Sequence, residues 1–351
     1  MTTTEPTPAT DSPNQRPLWL AMVKAARPKQ WSKSAFVLVG PLYGLSDLAE
    51  QGREFPGVVL TALLAALAFA LASSACYIFN DLMDREADRH HPRKCRRPIA
   101  SGEISTGLAR IFGLALLIAA GVVTFLLPSE TGRLWLGVTI GLHVVNVFSY
   151  SLLWKHIAIA DVMSLSLGFV LRVMGGCAAV GIEPTVWLLN VTFFLSMFLA
   201  FGKRLGERRT LAGVTVSGGS LAEEHRRVQG SYTDAMLQMS VVISAVTTLV
   251  VYAFYVQAKD APVVVGFNLL WLTILPATFG LLRCILVLEH GLFDDPTELA
   301  YRDRSFQAAG LLFVLITVFV VLIGHPDGPV DGAVPDEQVQ SPLDISDLSD
   351  D

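Results

Sequence analysis

The chain has 351 residues, of which 52% are hydrophobic and only 16% are charged, whereas an ordinary soluble domain carries about 25% charged residues. This composition excludes a disordered chain and a nucleic-acid-binding protein, and it indicates a membrane protein. The formal net charge is −5, from 26 basic and 31 acidic residues. Because His325 to Asp351 holds eight acidic residues and no Lys or Arg, the rest of the chain has 26 basic against 23 acidic residues and a net charge of +3.

Three regions follow from this distribution. Residues 1–20 are predicted to be a disordered leader, since Met1 to Pro17 is rich in Thr and Pro and lacks the apolar stretch of a signal peptide. Residues 21–324 are predicted to form one membrane domain, and residues 325–351 an acidic disordered tail. The four cysteines occur singly, without a C-x-x-C pair, so we expect neither disulfides nor a zinc site.

Nine apolar segments are long enough to suggest transmembrane helices, because a bilayer core of about 30 Å takes roughly 20 residues per helix. The sequence thus predicts an all-α integral membrane protein. The first segment is the weakest, being short and interrupted by Gly40, Pro41 and Gly44. The predicted spans are Ser34–Leu48, Phe55–Phe79, Leu108–Leu127, Leu134–Leu153, Ala160–Gly181, Thr185–Phe201, Ala235–Val256, Val264–Leu288 and Phe306–Gly324.

The loop charges predict an orientation. With the N-terminus inside, the inner segments hold twenty Lys and Arg residues and the outer segments three, as expected from the positive-inside rule. We therefore expect a multi-pass protein of the plasma (inner) membrane with a cytoplasmic N-terminus and an external C-terminus.

An acidic motif follows the second predicted span. It reads Asn80-Asp81-Leu82-Met83-Asp84-Arg85-Glu86-Ala87-Asp88. If the helix continues through it, Asn80, Asp84 and Asp88 follow one another at intervals of four residues, with Asp81 beside them, on about 100° of helix surface. Hard oxygen ligands of this kind suit Mg²⁺, which completes its coordination with water and substrate phosphate. The motif predicts a Mg²⁺-bound diphosphate; the alternative is a solvated, charged helix end.

Basic residues recur in the other segments predicted to be inner. The loop from His90 to Gly102 carries four cations in five residues, which suits phosphate binding or, alternatively, a topology signal or headgroup contact. A charge within a membrane helix usually faces the bundle interior and is paired or functional, which makes Arg172 a candidate. The other charged candidates outside the acidic motif are Lys33, Arg97, Lys155, Asp161, Lys203 and Arg204.

The acidic motif matches the N-D-x-x-D-x-x-x-D pattern of the UbiA-type intramembrane prenyltransferase superfamily, which the sequence resembles from about Ala21 to Gly324. The resemblance implies a nine-helix bundle with an active-site cap on the cytoplasmic side. Further segments resemble the branch of the superfamily that transfers phosphoribosyl groups to a lipid phosphate: Arg27-Pro28-x-Gln30-Trp31-x-Lys33, Tyr77, Arg97-Pro98-Ile99-Ala100, Gly202-Lys203-Arg204 and Leu299-Ala300-x-Arg302-Asp303-Arg304.

The resemblance also implies substrates and roles. In that branch, 5-phosphoribosyl 1-diphosphate and decaprenyl phosphate react, with Mg²⁺ as cofactor, to give a precursor of cell-wall arabinan and pyrophosphate. Asn80, Asp81, Asp84 and Asp88 would hold the Mg-diphosphate, with Asp81, Asp84 and Asp88 as catalytic residues. Phosphate groups would be bound by Lys33, Arg97, Lys203 and Arg204, and interior support would come from Tyr77, Lys155, Asp161 and Arg172.

One departure from the superfamily bears on the substrates. Prenyltransferases that ionise an allylic diphosphate typically carry a second Asp-rich motif after the sixth helix, but Gly202 to Ser231 contains no Asp. A site with one acidic motif and additional Lys and Arg residues suits one metal-bound diphosphate substrate and one metal-free phosphate substrate. Two alternatives remain open: prenyl transfer from an allylic diphosphate to an aromatic acceptor, and a lipid transporter or flippase. The expected partners are both substrates and the lipid bilayer, without nucleic acid; homo-oligomerisation is left open.

Overall fold

The computed structural model describes residues 17–90, 94–212, 232–259, 263–264, 267–290 and 299–323. The leader and tail predictions therefore lie largely outside the described residues. Thirteen α-helices occur in the described part of the chain: α1 (Leu18–Ala26), α2 (Phe36–Tyr43), α3 (Leu45–Glu50), α4 (Phe55–Met83), α5 (Arg85–His90), α6 (Thr106–Phe125), α7 (Glu130–Leu152), α8 (Ala160–Val180), α9 (Val186–Ala212), α10 (Asp234–Ala258), α11 (Ile274–Glu289), α12 (Leu299–Arg302) and α13 (Arg304–Ile323).

Short elements connect these helices. Four 3₁₀ segments are present among the described residues: Pro28–Ala35, Lys94–Arg96, Trp154–His156 and Leu269–Thr273. Two two-residue strands, β1 (Val263–Val264) and β2 (Phe267–Asn268), pair antiparallel, with Val263 opposite Asn268. The prediction that a span begins at Val264 was wrong, since the long helical segment begins at Leu269.

Eight helices of the described chain are long and apolar enough to cross a membrane. They correspond to the second to ninth predicted spans, and their outward faces carry large apolar side chains such as Ile111, Val145 and Leu311. In water such surfaces would aggregate, but in lipid they need no cover. The chain is a multi-pass membrane protein.

The first predicted span is not one continuous helix. Its residues form the end of a 3₁₀ segment and the short helices α2 and α3, with Pro41 inside α2. Helix α2 packs directly against α8, where a Cβ atom added to Gly176 would come within 1.8 Å of the Val37 carbonyl oxygen. Leu48 then packs with Val58 and Val180. A broken helix thus occupies the place of the first predicted span, and the count of nine crossings stays a prediction.

The two ends of the helix bundle differ in the residues that they carry. Leu48, Val58 and Val180 pack together at one end. At the other, α4 ends at Met83, α8 begins at Ala160, and Ile99 packs in one cluster with Ala109 of α6. We call this second end the acidic end, because Asp81, Asp84, Asp88 and Asp161 all lie there. The apolar core of α8, α9, α10 and α11 lies beside it and includes Val162, Phe201 and Tyr232.

Candidate active site

Helical geometry continues through the acidic motif with one interruption. Helix α4 ends at Met83, and Asp84 caps it with φ −86° and ψ 4° before α5 begins. The backbone N–H groups of Asp84 and Asp88 nevertheless donate to the carbonyl oxygens four residues earlier, at 2.9 and 2.8 Å. Helical hydrogen bonding therefore runs from Asn80 through Asp84 to Asp88, but with a break at Asp84 rather than as one unbroken helix.

Arg97 joins two of the motif carboxylates. Its Nη1 donates to Asp88 Oδ2 at 2.6 Å and to Asp81 Oδ1 at 3.1 Å. Both aspartates are only 2% exposed, and burying a carboxylate is costly unless it is paired. Arg97, predicted as a phosphate ligand, is thus the bridging countercharge of Asp81 and Asp88 in this structure.

Arg27 completes the surroundings of Asp81 and was not among the residues chosen from the sequence. Its Nη2 lies 2.5 Å from Asp81 Oδ1, and its guanidinium lies over the ring of Tyr77, 5.0 Å from the centroid. Arg27 adopts left-handed backbone angles, φ 52° and ψ 59°, between α1 and the 3₁₀ segment that begins at Pro28. The Arg27-Pro28 segment quoted for the family resemblance could have marked Arg27 as a site residue. Its contact with Asp81, 54 residues away, could not be predicted from the sequence.

The segment after Arg27 is fastened to the same stretch of α4. Trp31 Nε1 donates to Ser74 Oγ at 3.0 Å, and Ser74 Oγ donates to the Ala26 carbonyl at 2.7 Å. These bonds hold the chain around Arg27 against the helix that carries Asp81. Lys33 lies in the same 3₁₀ segment, with a half-buried side chain.

Asn80 and Asp84 form a second pair within the motif. Asn80 Nδ2 donates to Asp84 Oδ2 at 3.2 Å, and Lys155 Nζ donates to Asp84 Oδ1 at 3.2 Å. The side chains of Lys155 and Asp84 are 30% and 31% exposed. The carboxylate of Asp84 is thus more accessible to a ligand than the carboxylates of Asp81 and Asp88.

Asp161 and Arg204 contact each other, although they were predicted to act on substrate. Asp161 is completely buried, and its Oδ2 accepts a hydrogen bond from Arg204 Nε at 3.0 Å. Arg204 Nη1 also pairs with Glu207 at 2.9 Å. Arg204 thus pairs with two carboxylates in this structure, and its assignment as a phosphate ligand stays a prediction. Lys203 precedes it on α9 with an exposed side chain.

Tyr232 is a further residue that the sequence did not indicate. Its hydroxyl donates to Asp161 Oδ1 at 2.7 Å and accepts the Ile159 N–H at 2.5 Å. Burial raises the pKa of Tyr232 above its ordinary value, so the phenol stays protonated and can donate. Ile159 has φ 69° and ψ −46°, a backbone conformation that costs a β-branched residue about 1–3 kcal/mol.

Arg172 lies apart from the acidic motif, inside the bundle. It is 5% exposed, and its guanidinium donates to the Gly168 carbonyl at 2.8 Å and to Ser73 Oγ at 3.1 Å. His143 Nε2 is 3.4 Å away. Among the described residues these partners are neutral, and Arg172 Nε has no hydrogen-bond acceptor. Since Ser73 precedes Asp81 by eight residues on α4, the axial offset is about 12 Å.

The fold and these residues define a class. A family model described as the UbiA prenyltransferase family matches residues 38–316, and the chain belongs to that family. The structure resembles that of a UbiA homolog from Archaeoglobus fulgidus bound to DMAPP and Mg²⁺, with a TM-score of 0.59 at 16% identity, covering 86% of this chain and 99% of the other. The chain is therefore an intramembrane enzyme with the UbiA fold.

Relatives with a more specific name cover most of the chain. It is 32% identical over 316 residues to a decaprenyl-phosphate phosphoribosyltransferase of Corynebacterium glutamicum, covering 86% of this chain and 87% of the relative. It is 29% identical over 309 residues to the protein of that name from Mycobacterium tuberculosis, covering 86% and 95%.

The residues of the acidic motif fit Mg²⁺ by the chemistry of their donors. They offer carboxylate and amide oxygens, which Mg²⁺ prefers, and Mg²⁺ needs only one or two carboxylates when phosphate and water complete its shell. Within the described residues, no three His, Cys, Asp or Glu side chains are arranged as a metal site. The metal assignment of Asn80, Asp81, Asp84 and Asp88 stays a prediction.

Proposed function

We propose that this enzyme transfers the 5-phosphoribosyl group of 5-phosphoribosyl 1-diphosphate to decaprenyl phosphate and releases pyrophosphate. The main support is a single Asp-rich motif whose carboxylates form ion pairs with Arg27, Arg97 and Lys155. Residues 202–231, where a second such motif would lie, contain no Asp. Relatives named for this activity share about 30% identity over most of the chain. The product would serve cell-wall arabinan synthesis.

The reaction needs little proton chemistry from the protein. An oxygen of the lipid phosphate attacks C1 of the sugar, the bond from C1 to the diphosphate oxygen breaks, and the diphosphate leaves with the bonding electrons and with inversion at C1. The phosphate nucleophile is already anionic near neutral pH, so no general base is required. Positioning and charge stabilisation would then supply most of the rate enhancement.

The proposal divides the work among the residues of the acidic end. Asn80, Asp81, Asp84 and Asp88 would hold Mg²⁺, which when bound would neutralise charge developing on the leaving diphosphate. Arg27, Arg97 and Lys155, released from their carboxylates, would donate to phosphate oxygens, since guanidinium and ammonium groups favour such anions. Lys33 and Lys203 would add positive charge around the site.

The membrane orientation is also a proposal. The excess of basic residues in the loops at the acidic end favours a cytoplasmic location for that end. A soluble phosphorylated sugar would enter from the cytoplasm of the plasma membrane, and the lipid phosphate would arrive from within the bilayer. This arrangement would bring one water-soluble and one lipid substrate together at the interface.

A product assay with the full-length protein in detergent tests the proposal. Radiolabelled 5-phosphoribosyl 1-diphosphate should yield label extractable into organic solvent when decaprenyl phosphate and Mg²⁺ are present, and none when either is omitted. An allylic diphosphate with an aromatic acid is the competing substrate pair. Prenylation of the acid, without labelled lipid in the first reaction, would replace the proposal with aromatic prenyl transfer.

A further inference from the structure

We propose that Tyr232 is a positioning residue that sets the turn carrying Lys155 and thereby the contact between Lys155 and Asp84. The inference concerns the geometry of this contact and rests on the proposed function only where that contact is given a role in diphosphate binding. Tyr232 itself is 1% exposed and acts through the backbone.

The hydroxyl of Tyr232 joins two points of the chain, one just before α8 and one within it. It accepts the Ile159 N–H at 2.5 Å and donates to the buried Asp161 carboxylate at 2.7 Å. Ile159 has φ 69°, a value that a β-branched residue keeps only when its surroundings enforce it. The Tyr232 hydroxyl is the side-chain group bonded to that backbone N–H.

Asp161 is held by hydrogen bonds to both of its carboxylate oxygens. Its other carboxylate oxygen accepts a hydrogen bond from Arg204 Nε at 3.0 Å. Helix α8, helix α9 and Tyr232, two residues before α10, therefore meet at one buried carboxylate. The Tyr232 ring packs perpendicular to Phe201, with centroids 6.5 Å apart. The hydroxyl is therefore presented from a fixed part of the core.

Ile159 lies close to Lys155 in the chain. Only three residues separate them, and the first of these, His156, belongs to the 3₁₀ turn Trp154–His156, where the Ile157 N–H donates to the Trp154 carbonyl at 3.0 Å. A change of Ile159 to ordinary backbone angles would redirect this short turn. Lys155 Nζ, now 3.2 Å from Asp84 Oδ1, would then move away from the carboxylate.

The test is to compare Tyr232→Phe with Tyr252→Phe, measuring the reaction of Lys155 with an amine-reactive reagent by mass spectrometry in the absence of substrates. Both changes remove a buried hydroxyl; that of Tyr252 contacts Thr273 at 2.6 Å and no residue of the acidic end in the described structure. We expect several-fold faster Lys155 labelling in Tyr232→Phe, as in Asp84→Asn, and the wild-type rate in Tyr252→Phe. An unchanged rate in Tyr232→Phe, with Asp84→Asn accelerated, would overturn the inference.

Ile159→Gly separates positioning from general loosening. Glycine adopts a positive φ without steric cost, so in the Tyr232→Phe background it should restore slow Lys155 labelling. A merely structural role of Tyr232 predicts that the double variant labels at least as fast as Tyr232→Phe. Because labelling needs no turnover, this result is independent of which reaction the enzyme catalyses.

Kinetics give the functional counterpart. Loss of one hydrogen bond that orders a binding residue should raise KM for 5-phosphoribosyl 1-diphosphate about ten-fold with a smaller change in kcat. Ile159→Gly should reverse that increase. If labelling changes as expected while KM does not, Tyr232 positions Lys155, but Lys155 does not bind this substrate. In that case the role of Lys155 in the proposed function is wrong, and the positioning role of Tyr232 stands.

Discussion

Lys155 Nζ lies 3.2 Å from Asp84 Oδ1 across 71 residues of sequence. The pair joins the end of α4 to the turn between α7 and α8. Asp84 also accepts a hydrogen bond from Asn80, so a cation, an amide and a carboxylate meet at one partly exposed point. In our proposal this is where a metal-bound diphosphate displaces the lysine from the carboxylate.

Asp84→Asn should abolish most of the turnover. It keeps the size of the side chain but removes the charge that would bind Mg²⁺ and attract Lys155, and loss of one charge-stabilising group typically lowers kcat about 100-fold or more. The measurement is the rate of labelled lipid formation at saturating Mg²⁺, together with the thermal unfolding midpoint.

Glu86→Gln is the matched control for that change. Glu86 belongs to α5, its side chain is 70% exposed, and it pairs with Arg85 and Arg89 rather than with the motif. Exposed pairs of this kind contribute about 0–1 kcal/mol, so activity should stay within about two-fold of wild type. Equal losses in both variants would contradict a specific role of Asp84.

Arg97→Gln should destabilise the protein even without substrates. Asp81 and Asp88 would lose the guanidinium they share, at 3.1 and 2.6 Å, and breaking a buried ion pair typically costs about 3–5 kcal/mol. We expect the lower part of that range, because the Arg97 side chain is 27% exposed. Thermal or denaturant unfolding of the detergent-solubilised protein provides the measurement.

A double-mutant cycle checks that the effect comes from the contact. Asp88→Asn removes one of the two carboxylates, so Arg97→Gln should cost less in that background than in the wild type. Strictly additive effects would show that Arg97 stabilises the fold through other neighbours.

Arg172→Met should separate the stability of the bundle from its activity. Ser73 Oγ and His143 Nε2 lie 3.3 Å apart, so they still form a hydrogen bond with each other when the guanidinium is removed. The variant also removes a buried charge that has no carboxylate partner. The unfolding midpoint should therefore stay unchanged or rise. If Arg172 supports substrate binding, lipid product formation falls at least about ten-fold. Unaltered turnover with a lower midpoint would assign Arg172 to structure.

The ion pair between Arg283 and Asp303 should make the stability of the fold decrease at acidic pH. The hydrogen bond from Arg283, 2.8 Å from Asp303 Oδ2, holds the pKa of Asp303 below its ordinary value. A depressed pKa stabilises the fold above the unfolded-state pKa of about 3.9, and this stabilisation is lost as the pH falls through the lower folded-state pKa. Asp303→Asn should therefore lower the unfolding midpoint at neutral pH and lower it less at about pH 3.5. A pH-independent difference would show that the Phe306 N–H bond to Asp303, rather than charge, is responsible.

The membrane character, eight of the spans and the four-residue spacing of Asn80, Asp84 and Asp88 could be predicted from the sequence. Each depends on local composition or helical periodicity, which are properties of consecutive residues. The broken first segment was only hinted at by Gly40, Pro41 and Gly44, because tight packing of α2 on α8 at Gly176 is a contact between distant residues.

The pairing of charged side chains, in contrast, depends on the tertiary fold. Local sequence does not show that Arg27 contacts Asp81 or that Arg204 contacts Asp161. Tyr232 has no motif around it, yet its hydroxyl links Ile159 and Asp161 at the start of α8. These contacts require donor and acceptor atoms to lie about 3 Å apart. Partners 43 to 73 residues apart are therefore brought together by how the helices pack, and the sequence specifies that packing only through the whole fold.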